Sequence, residues 1–193
     1  SEAFRTFAPQ LLPGEQFSFQ FDNGNVQPGG TVGFALQNGS NENLVEVFFQ
    51  GGSIEYTLND DSGTSGTGIV FTNGGLNITI TLLSPSTYQL EITPIGGTTT
   101  TFTGDLINPT NGQTVQQLRI FNSNAGTGGG ADLYANSLEA SSRVTNATRE
   151  TIFTTIQGAI DDGTTVASDV IWVGRGTYAE EVNVNKALTL NGP

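Results

Sequence analysis

Two glutamates four residues apart, Glu42 and Glu46, straddle the start of an alternating apolar run. A carboxylate pair is what glycoside hydrolysis requires, one group as acid and the other as base or nucleophile. Glu46, Glu55 and Glu91 each stand alone on the polar side of their runs, so a solvated charge on a sheet face is the competing reading. Arg119 lies within 115–121, where alternation sets it beside Gln117 and Phe121. A guanidinium there suits a sugar hydroxyl or a uronate carboxylate, and equally a cross-sheet ion pair with Glu46 or Glu91. Phe48 falls on the opposite side of its run from Val47 and Phe49, either as a stacking platform for a sugar ring or as part of a two-sided core strand. Arg119, Glu46 and Phe48 are the candidate ligand-binding residues.

The chain has neither Cys nor His, which excludes disulfides, thiol catalysis, imidazole bases and Cys- or His-ligated metals. Any metal site must then be built from oxygen, and calcium is the cofactor such donors suit. Asp22, in the first long turn, and the Asp60–Asp61 pair are candidates, with Asx turns as the competing role. Asn38, Asn77 and Asn146 each open an Asn-x-Ser/Thr sequon, which an Asn- and Thr-rich chain also yields by chance. The glycines of 126–130 lack the Lys and following helix of a phosphate loop, and the threonines of 98–101 read as an edge strand.

Composition narrows the partners. Lys and Arg number 6 against 18 Asp and Glu, a net charge of −12 that repels nucleic acid and anionic lipid surfaces. No stretch has the apolar length needed to insert in a membrane. Only 12% of residues are charged. Amides and hydroxyls make up the rest of the polar surface, the balance of an extracellular or cell-surface β protein. The first residue is Ser1 and Met is absent, so a processed or excised chain is expected.

The elements that must carry these residues are strands. Phe17, Phe19 and Phe21 alternate with polar residues; Val32, Phe34 and Leu36 recur with the same period on one face, then Val45, Val47 and Phe49, then Ile54, Tyr56 and Leu58 after a Gly51-Gly52 turn. Further runs lie at 69–71, 76–82, 88–92, 100–106, 115–121 and 133–137. About ten strands at even spacing predict two packed antiparallel sheets, and an up-and-down barrel fits the period nearly as well. Residues 141–150 break both periods and read as a linker. Beyond them Thr154 and Gln157 have capping-box spacing, and Ile156, Ala159 and Ile160 form a helical stripe. Strands are expected at 170–173, 181–184 and 188–190.

The runs Asn43-Leu44-Val45-Glu46-Val47-Phe48-Phe49-Gln50-Gly51-Gly52, Tyr56-Thr57-Leu58-Asn59-Asp60, Leu118-Arg119-Ile120-Phe121-Asn122-Ser123-Asn124-Ala125-Gly126 and Asp132-Leu133-Tyr134-Ala135-Asn136 resemble a jelly-roll module of secreted bacterial proteins. Its organisation is similar to that of the concanavalin-like and laminin-G-like sandwiches. The resemblance implies an extracellular accessory role in glycan or partner binding, and it implies that Asp132 stands where such jelly rolls often hold calcium. The Glu-x-Asp-x-x-Glu pattern of glycosidases of that class is missing.

The string Phe153-Thr154-Thr155-Ile156-Gln157-Gly158-Ala159-Ile160, with Asp169-Val170-Ile171-Trp172-Val173-Gly174, Gly176-Thr177-Tyr178, Glu181-Val182 and Leu188-Thr189-Leu190-Asn191-Gly192, resembles the N-terminal cap and first coil of pectin-lyase-like right-handed β-helices. No catalytic motif of that family falls within 150–193. The expected fold is therefore all-β: an antiparallel jelly-roll β-sandwich over 1–140, the linker at 141–150, and the capping helix and first coil of a truncated parallel β-helix over 151–193. Three functional readings follow. The chain is a non-catalytic accessory or adhesion module that binds a polysaccharide or surface glycan, or the N-terminal part of a polysaccharide-active β-helix enzyme, or a structural subunit whose open strand edges meet neighbouring protein subunits.

Overall fold

The computed structural model describes residues 1–108 and 114–192. Eleven strands form two antiparallel sheets, which selects the sandwich over the barrel. The six-stranded sheet contains β1 (Glu2–Leu11), β10 (Val115–Ser123), β3 (Thr31–Gln37), β4 (Asn43–Gln50), β5 (Glu55–Asp60) and β6 (Gly63–Val70), in that order. The five-stranded sheet contains β11 (Leu133–Ser142), β2 (Glu15–Asn23), β7 (Leu76–Leu82), β8 (Thr87–Pro94) and β9 (Thr100–Asp105). β1 was not foreseen, and β6 begins well before the expected 69–71.

Alternation works as it should in the central strands. Phe17, Phe19 and Phe21 face Val32, Phe34 and Leu36 from the opposite sheet in one apolar layer, and all six are buried. The Phe34 ring meets Phe19 and Phe21 edge-on, at centroid distances of 5.0 and 5.4 Å. Two buried tyrosines pin the sheets together. Tyr56 donates from the six-stranded sheet to Asn23 Oδ1 at 2.6 Å, and Tyr88 donates from the five-stranded sheet to Asp60 Oδ2 at 2.7 Å. Burial pushes both phenols well above their ordinary pKa, so each remains a donor.

The remaining residues make a small third sheet in the order β13 (Thr151–Phe153), β12 (Val144–Asn146), β14 (Val170–Val173), β15 (Thr189–Asn191). The stretch 141–150, expected as linker, holds the end of β11 and all of β12. Its Val144, Thr145 and Asn146 are buried. Buried polar side chains masked this strand from an apolar count: Thr145 donates to Leu83 O, and Asn146 donates to Thr165 Oγ1 and Asp169 Oδ2.

Helix α1 (Ile156–Asp161) lays Ile156 and Ala159 against Val144 and Ile171, as its stripe predicts. Its N-cap is Thr155, whose hydroxyl accepts from Gly158 N, rather than Thr154. β14 and β15 are parallel, pairing Val170 with Thr189 and Trp172 with Asn191.

The expected strand at 181–184 is not one. That segment has no neighbouring strand to complete a ladder, and the loop around it binds the helix ends instead. The Glu180 carboxylate accepts from Ile156 N and Gln157 N, both at 2.8 Å, while Lys186 donates to Ile160 O and Asp162 O. No helix among the described residues is long and apolar enough to cross a membrane.

Candidate functional site

Register brings the three candidate ligand-binding residues onto one surface. β10, β3 and β4 run side by side, and one cross-strand row reads Arg119, Ala35, Glu46 while the next reads Phe121, Gly33, Phe48. All six point away from the layer formed by Leu118, Phe34, Leu36, Val45 and Val47. The rows continue onto the flanking strands, with Phe4 of β1 opposite Arg119 and Asn59 of β5 opposite Glu46. Small residues on the central strand thus lie between larger ones on either side in a shallow trough, whose floor those larger side chains cover: Gly33 and Ala35 are both buried. Gly33 is required there: a Cβ would stand 2.3 Å from Val47 O and 2.8 Å from both the Phe121 ring and Phe48 Cβ.

Arg119 organises the charge. It donates through Nε to Glu2 Oε1 at 3.1 Å and through Nη2 to the same oxygen, and its Nη1 stands 3.9 Å from Glu46. Its guanidinium carbon lies 4.5 Å from the Phe121 ring centroid. Glu91, the other proposed partner, belongs to β8 of the opposite sheet. Burial raises the Glu46 pKa, and Arg119, Asn43 and Asn59 counter that only in part. Keeping this carboxylate charged therefore works against folding, a common mark of functional groups.

Beside the charged trio lies an amide cluster. Gln117 Nε2 donates to Gln37 Oε1 and Asn41 Oδ1, and Gln37 Nε2 donates to Asn41 O and Asn43 Oδ1. With Glu2, Phe4 and Arg119 these amides line an open groove of about 830 Å³. That is the size range of small-molecule sites. The Phe4 ring is 53% exposed at its rim, whereas Phe48 is half-buried further along the trough. Glu2, Phe4 and the amides escaped the sequence reading because β1 has no clean alternation, and amides carry no signal until register assembles them.

The other candidates fall elsewhere. Glu42 is exposed in the β3–β4 turn, accepting from Asn38 Nδ2. Asp60 and Asp61 are engaged by Tyr88, Ser62 N and Asn108 N. Asp22 and Asp132 flank Tyr134, which pairs with Asp22 across β2 and β11 and donates to Asp132 Oδ2 at 3.3 Å. Both carboxylates push the Tyr134 pKa up, Asp132 more strongly. The nearby carbonyls of Asp132 and Gly130 already accept from Gly24 N and Asn25 N. No group of three or more acidic side chains gathers among the described residues. With two carboxylates here, most of the roughly six to eight oxygen ligands that calcium takes would have to come from backbone carbonyls and water.

No protein-family model matches this chain. Over 53 residues it is 43% identical to a cell surface glycoprotein of Methanothermus fervidus, a match covering 28% of this chain and 9% of that protein. The chain thus corresponds to a small part of that relative's length. Among solved structures, it is similar to a tetrameric galectin from the ball sponge Cinachyrella sp., with a TM-score of 0.51 and 12% identity over 72% of this chain and 99% of the galectin. A sialidase superposes with a TM-score of 0.51 and 13% identity, over 73% of this chain and 14% of the sialidase. At such identities the likeness is one of fold.

Proposed function

We propose that this chain is a non-catalytic glycan-binding module of the cell surface or extracellular space, and that its site is the trough on the outer face of the six-stranded sheet. The observation that carries the reading is the assembly, on neighbouring strands and the β3–β4 turn, of a guanidinium, the Glu2 carboxylate, four amides and an exposed aromatic ring around one groove, with Glu46 behind the guanidinium. Sugars present hydroxyls that both donate and accept, together with apolar C–H faces, and this set answers each. The likeness to a galectin fold and to a cell surface glycoprotein supports the reading. Both carboxylates bind the same guanidinium instead of opposing each other across an open cleft, which disfavours a hydrolytic pair.

The test is a glycan array probed with the full chain, followed by product analysis of any ligand found. Binding without turnover, lost in Arg119→Ala and Phe4→Ala, is the expected outcome. Turnover would move the chain to the enzyme reading.

The third sheet favours a second role. The parallel β14–β15 pair supports reading it as the start of a parallel β-helix, and Val182, Val184 and Leu190 beside it are 41%, 49% and 40% exposed. Such an edge suits a further strand, from this polypeptide or a neighbouring subunit. Light scattering tests the latter, with concentration-dependent assembly that Leu190→Lys abolishes.

A further inference from the structure

The charges on the trough sort the glycans it can take, an inference that rests on the glycan reading above. Six Lys and Arg residues serve the whole chain, and two of them, Arg5 and Arg119, lie in strands of the six-stranded sheet. Arg5 pairs in register with the core residue Leu118, on the other side of the sheet from Phe4 and Arg119. Arg119 is therefore the one cationic side chain of this face among the described residues. It is held by Glu2 through two of its nitrogens and by Glu46 near the third, and it rests on the Phe121 ring. Two carboxylates against one guanidinium leave the face net negative, and Glu42 adds a further negative charge in the turn that carries Asn41. The groove's remaining polar lining is amide and uncharged.

We infer that this groove takes neutral, hydroxyl-rich sugar units and discriminates against uronates and other acidic glycans. Two of the five guanidinium N–H groups serve Glu2, so donors remain for a hydroxyl although the charge is compensated. Glu2 accepts from hydroxyls, the amides do both, and the exposed Phe4 ring meets a C–H face. A uronate carboxylate has no such partner. It must displace Glu2 or Glu46 from Arg119, or sit beside an uncompensated negative charge. At contact separation near the surface that repulsion is worth about tenfold in affinity, and the net charge of −12 repels polyanions at longer range in low salt.

Calorimetry on the full chain tests this with neutral tetrasaccharides of glucose, mannose, galactose and xylose against tetragalacturonate and an alginate tetramer, at about 20 and about 150 mM NaCl. Wild type should bind at least one neutral probe, with uronates about tenfold weaker or worse and the gap narrowing as salt rises. The near-isosteric double variant E2Q/E46Q leaves Arg119 uncompensated and should bind uronate about tenfold more tightly than wild type. Its melting temperature serves as the folding control. Wild type binding uronate as tightly as neutral sugar, or a double variant with unchanged selectivity, overturns the inference while leaving the glycan site standing. Failure of both classes to bind overturns the glycan site, and the inference with it.

Discussion

Glu15 joins the sandwich to the third sheet, and its replacement by alanine should loosen that joint measurably. The carboxylate opens β2, is 8% exposed, and receives Arg175 at both oxygens, Nε at 2.5 Å and Nη2 at 2.6 Å. It also accepts from Leu12 N, while Arg175 reaches on to Gln10 O. Around the pair the backbones nearly touch: Arg143 N donates to Gly14 O, Gly174 N donates to Arg143 O, and the Tyr178 hydroxyl spans Arg143 O and Gly174 O. Removing one partner of a fully buried pair costs about 3–5 kcal/mol. Arg175 is 31% exposed, so water recovers part of that, and Glu15→Ala should lose about 2 kcal/mol. For a chain of this size that lowers Tm by about 4–8 °C. Scanning calorimetry on the single and double variants gives the coupling, expected at about 1 kcal/mol or more for E15A/R175A. Hydrogen exchange should accelerate first at β12 and β14. A single variant within about 0.5 kcal/mol of the parent, or a strictly additive cycle, would refute the idea that this pair fixes the joint.

Other substitutions probe the trough and the third sheet. Gly33→Ala should cost about 1–3 kcal/mol in urea unfolding, as expected for overpacking, and abolish binding of any glycan found on the array, because the new methyl presses on Val47 O of the neighbouring strand and displaces Phe121 and Phe48. Glu46→Gln should hold or raise Tm at pH 7: a folded pKa above the ordinary 4.5 means the charged form opposes folding, and the difference should vanish as pH falls below that value. Asp169 behaves in the opposite sense, held at about 2 first by Arg149 and next by Asn146, so its contribution is complete above about pH 4 and lost as pH falls through about 2. Acid melts of Asp169→Asn should lack that component. Of the three sequons, Asn146 is fully buried and Asn77 exposed, so secretion from an N-glycosylating host should yield mass-shifted peptides at Asn77 and none at Asn146.

Period-two alternation was legible wherever a strand buries one face against the opposite sheet, as in β2, β3, β4, β7 and β8. It failed where that condition fails. β1 is an edge strand, exposed along most of its length, and its two aromatic residues, Phe4 and Phe7, are three apart and face opposite sides of the sheet, so no apolar face repeats along it. The start of β6, Gly63-Thr64-Ser65-Gly66, is an edge without apolar residues. Residues 181–184 show the reverse error. Their alternation is genuine, but alternation specifies a strand only where a neighbour completes the ladder, and here Glu180 and Lys186 bind the helix instead.

The site was legible residue by residue and illegible as a place. Arg119, Glu46 and Phe48 could each be singled out by type and by side of the strand, because that needs only the local period. Their convergence depends on β10 joining β3 across about eighty intervening residues, a long-range pairing that no local pattern encodes. The same pairing gives Gly33 and Ala35 their role. In sequence they interrupt an apolar run and weaken it as a strand. In the sheet they lie between Arg119 and Glu46 and between Phe121 and Phe48, and their small size lets those side chains close over them, leaving Ala35 0% exposed. A one-residue slip of β10 would turn Arg119 into the core and Leu118 onto the face. The apolar layer that fixes the register therefore also fixes the site, and substitutions in that layer at Leu118 or Phe34 should weaken binding through geometry even where the chain stays folded.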